Sequence, residues 1–335
     1  MPGLESMNKK AVALLSGGLD STLAVCIIKE QGVEIHAVNF QTMFGCCKDD
    51  ARAVAQKLGV EFTVLQVGDD YLKVIENPKY GYGRAINPCV DCRIYMFEMA
   101  KRVMEKTGAS FIVTGEVLGQ RPKSQKKSDF QTIEEETGLE GLILRPLSAK
   151  LLEPTEPEKA GIVEREKLYA IQGRSRRELL VLARRYGIEN PPSPSAGCAL
   201  TSPLFAKKVR DVFDHHPDYE RWEFEILKLG RHFRLSPSAK LVLARNQNQG
   251  EYLEVLHPSG TALLSCPNFA GPTALLMGEV NEETMEQAVH LMLHYADKPL
   301  PETCRIRVKK DGVVQTLEAA PEAAQDHEVN SLRIV

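Results

Sequence analysis

The sequence predicts an α/β protein in which a doubly wound parallel sheet is followed by a smaller C-terminal α+β domain. Short apolar runs alternate with helical patterns over the first 115 residues or so, which is typical of βαβ units. The first of these runs is bounded by glycines, as expected for a buried strand of a parallel sheet. After about residue 224, short β-like runs are separated by turn clusters, which indicates a second domain.

The first predicted unit is a strand, a tight turn and a helix within residues 11–29, AVALLSGGLDSTLAVCIIK. Such a turn directs backbone N–H groups and the positive end of a helix dipole toward one point, which suits a phosphate. Ser16 and Ser21 offer hydroxyl groups, and Asp20 is a candidate Mg²⁺ ligand across the phosphates. The predicted phosphate-binding residues are Ser16, Gly17, Gly18, Leu19, Asp20 and Ser21.

The rest of the first domain continues the alternation of strands and helices. Strands are predicted at residues 34–40, 61–67 and 110–114, helices at 49–58 and 90–107, and a loop at 69–88. Ligands of such sheets bind beyond the carboxyl ends of the strands. The polar residues expected at that edge are Ser16, Asn39, Gln41 and Thr114.

The remaining segments set the predicted domain boundaries. Residues 146–164 read as an extended connection, 174–186 as a basic helix, 191–203 as a stiff loop presenting Cys198, and 205–213 as another helix. In the last domain, β-like runs are predicted at 240–244, 252–256, 262–264 and 305–308, and a helix at 282–294. We therefore expect a disordered terminus at 1–8, a first domain at 9–222, a second at 223–318 and a tail at 319–335.

Composition indicates a soluble globular protein that contacts a polyanion. Of 335 residues, 43% are hydrophobic and 26% are charged, and the formal net charge is −3. Residues 165–245 nevertheless hold 16 Lys and Arg against 9 Asp and Glu. Eight cysteines are too sparse for a disulfide scaffold, and no secretory signal or membrane-length run is visible. These features predict a cytoplasmic protein with reduced thiols and no membrane partner.

Three cysteines are the candidate sulfur or metal site. Cys89 and Cys92 begin the helix predicted after NPCVDC, where the helix dipole is expected to lower a thiol pKa. With Cys198 they could ligate a [4Fe–4S] cluster that keeps one iron without a protein ligand. The alternatives are a structural zinc with a fourth ligand such as Cys46 or Cys47, and a persulfide on Cys92 or Cys198. We favour the cluster because three thiols are available.

These motifs resemble those of known enzymes. SGGLDS is similar to the SGGxDS loop of the PP-loop ATP pyrophosphatases, whose fold is adenine nucleotide alpha hydrolase-like. NPCVDC and GCCKDDARAVAQKLG resemble the tRNA 2-thiouridylases, although Arg93 stands where those enzymes usually have Asn. TGEVLGQRPKSQ is similar to a segment of the tRNA 4-thiouridine synthetases, and LARNQNQGEYLE resembles the RNA-binding domain of ribosome-quality-control proteins. The chain is thus identified as similar to the tRNA thiolation group.

The resemblance implies that ATP and Mg²⁺ bind at residues 16–21 and that a uridine is adenylated before sulfur displaces AMP. It implies a catalytic set of Cys89, Cys92, Cys198 and Asp20, and a nucleotide pocket completed by Asn39, Phe40, Thr114, Gly115 and Glu116. Expected partners are tRNA and a sulfur donor, either a cysteine desulfurase or sulfide. A homodimer is one assembly that the sequence allows.

Basic groups in four places are candidate tRNA contacts. They are Arg121, Lys123, Lys126 and Lys127; Arg174, Arg176, Arg177, Arg184 and Arg185; Arg231, His232 and Arg234; and Arg305, Arg307 and Lys309. Arg145 and Lys150 are further candidates for phosphate or tRNA contact. Two other classes of function stay open: another PP-loop adenylating ligase or small-molecule sulfur-transfer enzyme, and an ATP-binding RNA-binding protein without thiolation activity.

Overall fold

The computed structural model describes residues 7–45, 50–193 and 197–334 and divides the chain into two compact units, Met1–Thr201 and Ser202–Val335. The first six residues of the terminus expected at 1–8 lie outside the described residues. Asn8 is held in place, because its backbone N–H donates to the Ser110 hydroxyl at 2.9 Å. Among the described helices, none has both the length and the apolar character needed to cross a membrane.

The first unit is built on a five-stranded parallel sheet with the strand order β3-β2-β1-β4-β5. Its strands are β1 Lys10–Leu14, β2 Glu34–Gln41, β3 Glu61–Gln66, β4 Phe111–Thr114 and β5 Ile143–Leu144. Its helices are α1 Leu19–Lys29, α2 Asp50–Leu58, α3 Asp70–Glu76, α4 Cys89–Thr107, α5 Lys127–Thr137, α6 Glu156–Lys159 and α7 Arg177–Arg185. The predicted doubly wound parallel sheet is confirmed.

The alternation of side chains along β1 explains why helices cover both faces of this sheet. Ala11 and Ala13 point into one core with α1 and α7, whereas Val12 and Leu14 point into a second core with α4. The chain leaves β1 toward β2 on one side and returns to β4 on the other. A crevice therefore opens beyond the carboxyl ends of β1 and β4, where such folds bind ligands.

Besides the one-turn helix α6, which lies in the extended connection predicted at 146–164, two helices of this unit were not expected from the sequence. The predicted loop at 69–88 contains α3, which buries Tyr71, Leu72 and Ile75 on one side. Helix α5 buries Phe130 and Ile133 at an i, i+3 spacing. Both are short amphipathic helices whose stability comes from packing rather than from intrinsic propensity, so their sequence signal is weak.

The second unit is built on a six-stranded antiparallel sheet with the order β11-β10-β8-β9-β7-β6. Its strands are β6 Arg231–Ser236, β7 Ala239–Leu243, β8 Ala262–Ser265, β9 Ala274–Gly278, β10 Cys304–Lys310 and β11 Val313–Ala319. Its helices are α8 Pro203–His215, α9 Arg221–Glu225, α10 Gln247–Leu256, α11 Glu282–His294 and α12 Asp326–Leu332. The predicted smaller α+β domain is confirmed.

The boundaries and one element of this unit differ from the expectation. The unit begins at Ser202 rather than after residue 222, because Asp211 of α8 pairs with Arg234 at 2.7 Å and with Lys240 at 2.8 Å. The expected tail at 319–335 contains α12, whose Val329 is buried in the core. The β-like run at 252–256 belongs to α10, because the Asn246 side chain caps that helix by accepting from the Gln249 N–H.

Lys208 on α8 predicts a pH dependence of the second unit. It is buried, and its ammonium donates to the Leu227 carbonyl at 3.2 Å. Burial and the positive charges of Arg245, Lys240 and Arg333 lower the pKa of Lys208 from 10.5 to about 8. The unfolded chain holds this proton more tightly. The stability of the second unit should therefore rise as the pH increases from about 8 toward 10.5. Below pH 8 the buried ammonium is charged, and its burial destabilises the folded unit by the full amount.

We expect Lys208→Met to stabilise the second unit by about 1–3 kcal/mol at pH 7 and to flatten this rise. Chemical denaturation of the full chain between pH 7 and 10 measures both effects. Lys207→Met is the matched control, because Lys207 is the exposed neighbour on the same helix. An unchanged pH profile in Lys208→Met would show that this ammonium carries no burial penalty.

Candidate active site

The predicted phosphate loop connects β1 to α1 and is held by its own hydroxyl groups. Gly17 has a φ of 76°, a left-handed conformation that glycine adopts without strain. The Ser21 hydroxyl accepts from the Ser16 N–H at 3.2 Å and donates to the Gly18 carbonyl at 3.0 Å. The two serine hydroxyls lie 3.1 Å apart. The turn is thus preformed at the start of α1, where the N–H groups of the first helical turn have no partner within the helix.

The loop after β4 lies directly against this turn. A Cβ added to Gly115 would lie 2.4 Å from the Ser21 nitrogen and 2.5 Å from the Asp20 carbonyl carbon, so only glycine fits. Further along the same loop, the Gln120 amide donates to Asp20 Oδ2 at 2.8 Å. The SGGLDS and TGEVLGQ motifs therefore meet, and Gln120 orients the carboxylate that we expect to bind Mg²⁺.

The residues expected near the adenine lie at the carboxyl end of β2, beside β1. The Asn39 side-chain N–H donates to the Leu15 carbonyl at 2.8 Å, so it satisfies the backbone where β1 ends. Phe40 is half-buried and packs against the core on the Val12 face of the sheet. Thr114 is 3% exposed at the end of β4. All three lie at the carboxyl ends of their strands, and Asn39 also stabilises the end of β1.

Glu116 is the centre of a buried charge network. Its carboxylate is 2% exposed and pairs with Arg145 at 3.2 Å and with Arg93 at 3.3 Å. Arg145 is 3% exposed, also pairs with Glu134 and stacks over the Phe130 ring. The interpretation of Arg145 as a tRNA contact is therefore wrong, because its guanidinium is enclosed by these groups. The network fixes Glu116 next to Gly115.

Cys89 and Cys92 lie in the first turn of α4, each beside a polar partner that the sequence did not reveal. The Asn87 side-chain N–H donates to Cys89 Sγ at 3.0 Å. The Tyr71 hydroxyl lies 3.0 Å from Cys92 Sγ. Burial raises the pKa of the Cys92 thiol, although the Tyr71 hydrogen bond and the charge of Arg93 oppose this. The expected lowering of the thiol pKa is thus not found at Cys92, because burial outweighs the helix dipole.

Backbone contacts bring Cys198 into the same region. The Ala199 N–H donates to the Phe44 carbonyl at 3.0 Å, and the Leu200 carbonyl accepts from the Ile86 N–H, just before NPCVDC. Burial raises the pKa of Tyr71 well above its usual value, and the nearby thiols of Cys92, Cys198 and Cys89 raise it further. The Tyr71 hydroxyl therefore contacts Cys92 and lies within electrostatic range of Cys89 and Cys198.

These thiols share a neighbourhood without forming a ligand cage. Within residues 7–45, 50–193 and 197–334, no three His, Cys, Asp or Glu side chains lie close enough together to hold a metal ion. Cys46 and Cys47, the candidate fourth ligands of a zinc site, fall outside the described residues. The chemistry of three thiol donors suits an iron–sulfur cluster, and the hydrogen bonds to Cys89 and Cys92 suit reactive thiols equally well.

A short path of contacts joins the thiols to the phosphate loop. Cys92 is followed by Arg93, whose guanidinium pairs with Glu116. Glu116 follows Gly115, and Gly115 packs against the backbone of Ser21. The candidate thiols and the candidate phosphate loop are therefore connected by contacts within one unit.

Two different family models match separate parts of the chain. Residues 6–151 match the family described as thiamine biosynthesis protein (ThiI), and residues 230–332 match the family described as NFACT protein RNA binding domain. The tRNA-specific 2-thiouridylase of Clostridium acetobutylicum is 35% identical over 127 residues, which is 32% of this chain and 36% of that protein. The enzyme of the same name from Acetivibrio thermocellus is 36% identical over 129 residues, again 32% and 36% of the two chains.

Among solved structures, a 4-thiouridine synthetase in complex with RNA and ATP aligns with 65% of this chain and 51% of that chain, at 23% identity and a TM-score of 0.34. The chain spans little more than a third of the length of the curated relatives it matches. These similarities therefore concern only the matched residues of each unit.

Proposed function

We propose that this chain, which joins a PP-loop domain of the ThiI family to an NFACT-type RNA-binding domain, is an ATP-dependent tRNA uridine sulfurtransferase. The observation that carries the proposal is the contact path from Cys92 through Arg93, Glu116 and Gly115 to Ser21. A nucleotide binder alone has no need of three thiols connected to its phosphate loop in this way. The names of the curated relatives, tRNA-specific 2-thiouridylases, support the same substrate class.

ATP binding is assigned to the crevice between β1 and β4. The N–H groups of residues 16–21 and the start of α1 receive the phosphates. Asp20, oriented by Gln120, holds Mg²⁺ across them. Asn39 and Phe40 border the adenine, and residues 114–116 close the opposite wall.

The reaction has two steps. The uridine carbonyl oxygen attacks the α-phosphorus, pyrophosphate leaves, and the base becomes an adenylate. A sulfur nucleophile then attacks the activated carbon, the C–O bond breaks, and AMP leaves with the original oxygen. The positive end of α1 and Mg²⁺ offset the negative charge that accumulates on the phosphates in the first step.

Sulfur is delivered from the region of Cys89, Cys92 and Cys198. Cys89, Cys92 and Cys198 would hold a [4Fe–4S] cluster, which would supply sulfur at the sulfide level for the second step. In the persulfide alternative, a cysteine desulfurase supplies the outer sulfur, and the terminal persulfide sulfur attacks the activated carbon as AMP leaves. A second cysteine then attacks the sulfur of the first, so that thiouridine is released and a disulfide forms, which a thiol reductant must reduce before the next turnover. In either case Tyr71 and Asn87 position the thiols by hydrogen bonding. The sulfur donor is a cysteine desulfurase or sulfide, the compartment is the cytoplasm, and a homodimer is the proposed assembly.

Pyrophosphate release that depends on added tRNA tests this function. Purified protein is incubated with ATP, Mg²⁺ and tRNA isolated from a strain lacking the gene, and thiouridine is then measured by mass spectrometry after sulfide is added. Release of pyrophosphate and appearance of thiouridine are expected only with tRNA present. Pyrophosphate release with a small molecule and no tRNA would instead favour another adenylating ligase, and unchanged thiouridine content in the deletion strain would contradict the proposal.

A further inference from the structure

Strand β10 of the second unit presents a row of cations on one face of the sheet. Its residues alternate between buried and exposed positions, as the period of a strand requires. The buried members are Cys304, Ile306 and Val308. The exposed members, which we call the basic ridge, are Arg305, Arg307 and Lys309.

The basic ridge lies on an exposed part of a sheet face that α10 covers elsewhere. Lys309 is directly opposite Val314 on β11 and Leu263 on β8, so these three residues share one face of the sheet. Leu263 packs into the core that also contains Leu253 of α10, so α10 covers the same face further along the sheet. Val314 is 57% exposed, which shows that the β10–β11 end of this face is uncovered.

Two of the three cations are unpaired among the residues that the structure describes. Arg305 lies 3.2 Å from Glu318 on the neighbouring strand, and both side chains are more than half exposed. In the part of the chain that the structure describes, neither Arg307 nor Lys309 forms an ion pair or side-chain hydrogen bond. Unpaired cations in a row, at the exposed β10–β11 end of this face, are suited to a ligand with evenly spaced negative charges.

We propose that the basic ridge binds the phosphate backbone of tRNA. Alternate residues of a strand lie roughly 7 Å apart, so the ridge spans about 14 Å and can contact a few consecutive phosphates. The family match of this unit indicates RNA, and tRNA is chosen on the strength of the proposed function. Tyr252 on α10 is 44% exposed and provides an aromatic ring on the same side of the sheet for stacking on an unpaired base.

The test measures binding of labelled tRNA to the full chain by fluorescence anisotropy at several salt concentrations. Each phosphate contact adds about 0.7–0.9 to the slope of log affinity against log salt, so Arg307→Ala/Lys309→Ala should lower the slope by about 1.4–1.8. Glu318→Gln frees Arg305 and is expected to raise tRNA affinity a few-fold. Both sites are exposed, so the melting temperature should not change in either variant.

Lys207→Ala is the matched control, because it removes an exposed cation of the same unit from α8 rather than from the ridge. An equal loss of slope in this control and in the ridge variant, or no loss in the ridge variant, overturns the proposal. So does a ridge variant that loses binding to polyglutamate while tRNA binding is unchanged, since the ridge would then recognise an acidic protein.

Thiouridine formation separates this proposal from the proposed function. If the wild-type chain binds tRNA through the ridge but forms no thiouridine, the sulfurtransferase assignment fails and the ridge stands. If thiouridine forms normally and the ridge variant keeps the full salt slope, the ridge assignment fails and the enzyme stands.

Discussion

Replacing Cys198 by alanine is expected to lower thiouridine formation by about a thousandfold or more while tRNA-dependent pyrophosphate release continues. The cysteine takes part in sulfur delivery, whereas adenylation uses the phosphate loop, Mg²⁺ and the uridine oxygen. Loss of one member of a catalytic set typically abolishes the step that the set performs. The measurement pairs a pyrophosphate assay with mass spectrometry of tRNA nucleosides from the same reaction.

The control for this experiment is Cys26→Ala. Cys26 lies in the same unit, on α1, where burial raises the pKa of its thiol and favours a packing role. It should keep both activities. If Cys198→Ala formed thiouridine at the wild-type rate, the three-cysteine site would be excluded as the source of sulfur, although ATP and tRNA binding would remain.

Iron and labile sulfide assays on the anaerobically purified protein distinguish the two ways in which these thiols could act. Bound iron and sulfide that disappear in Cys198→Ala would support the cluster. A colourless wild-type protein whose Cys92 or Cys198 carries an extra sulfur by peptide mass spectrometry would support the persulfide. Stoichiometric zinc would instead indicate a structural metal site and would contradict both the cluster and the persulfide hypotheses.

The sequence was most informative where local patterning and global fold agree. The first strand, turn and helix are an example. The apolar run predicts β1, the two glycines predict the turn and the following pattern predicts α1, and the structure confirms all three. The alternation along β10 was likewise sufficient to predict that Arg305, Arg307 and Lys309 share a face. These features depend on residues close together in the chain.

What the sequence could not reveal are contacts between residues far apart in the chain. The pairing of Glu116 with Arg93 and Arg145 joins three segments, and only the fold shows that Arg145 is buried rather than available to RNA. Tyr71 lies in a segment predicted as a loop, so its hydrogen bond to Cys92 had no sequence signal. The start of the second unit at Ser202 also depends on contacts between distant residues, because Asp211 of α8 pairs with Arg234 of β6 and Lys240 of β7.

Gly115→Ala is expected to destabilise the first unit by about 3 kcal/mol or more and to remove ATP binding. Its φ is not in the positive range, so the cost arises from contact and not from backbone strain. The added methyl group would lie 2.4 Å from the Ser21 nitrogen and 2.5 Å from the Asp20 carbonyl carbon, both of them backbone atoms that cannot rotate away. To remove this steric clash, the loop after β4 must move away from α1. That movement opens the crevice and displaces Glu116 from its arginine partners.

Gly18→Ala provides the matched control in the β1–α1 turn, against which the Gly115 loop packs. Gly18 has a φ of −78°, and the nearest atom to its added methyl group would be the Ser16 hydroxyl oxygen at 3.3 Å, which can rotate. The melting temperature of the ligand-free protein should therefore change little in Gly18→Ala but fall by about 6 °C or more in Gly115→Ala. Equilibrium binding of ATP, measured well below both melting temperatures, should be lost in Gly115→Ala. If Gly115→Ala melted and bound ATP like the wild type, the TGEVLGQ loop would not lie on the start of α1, and the path from Cys92 to the phosphate loop would be broken at its last step.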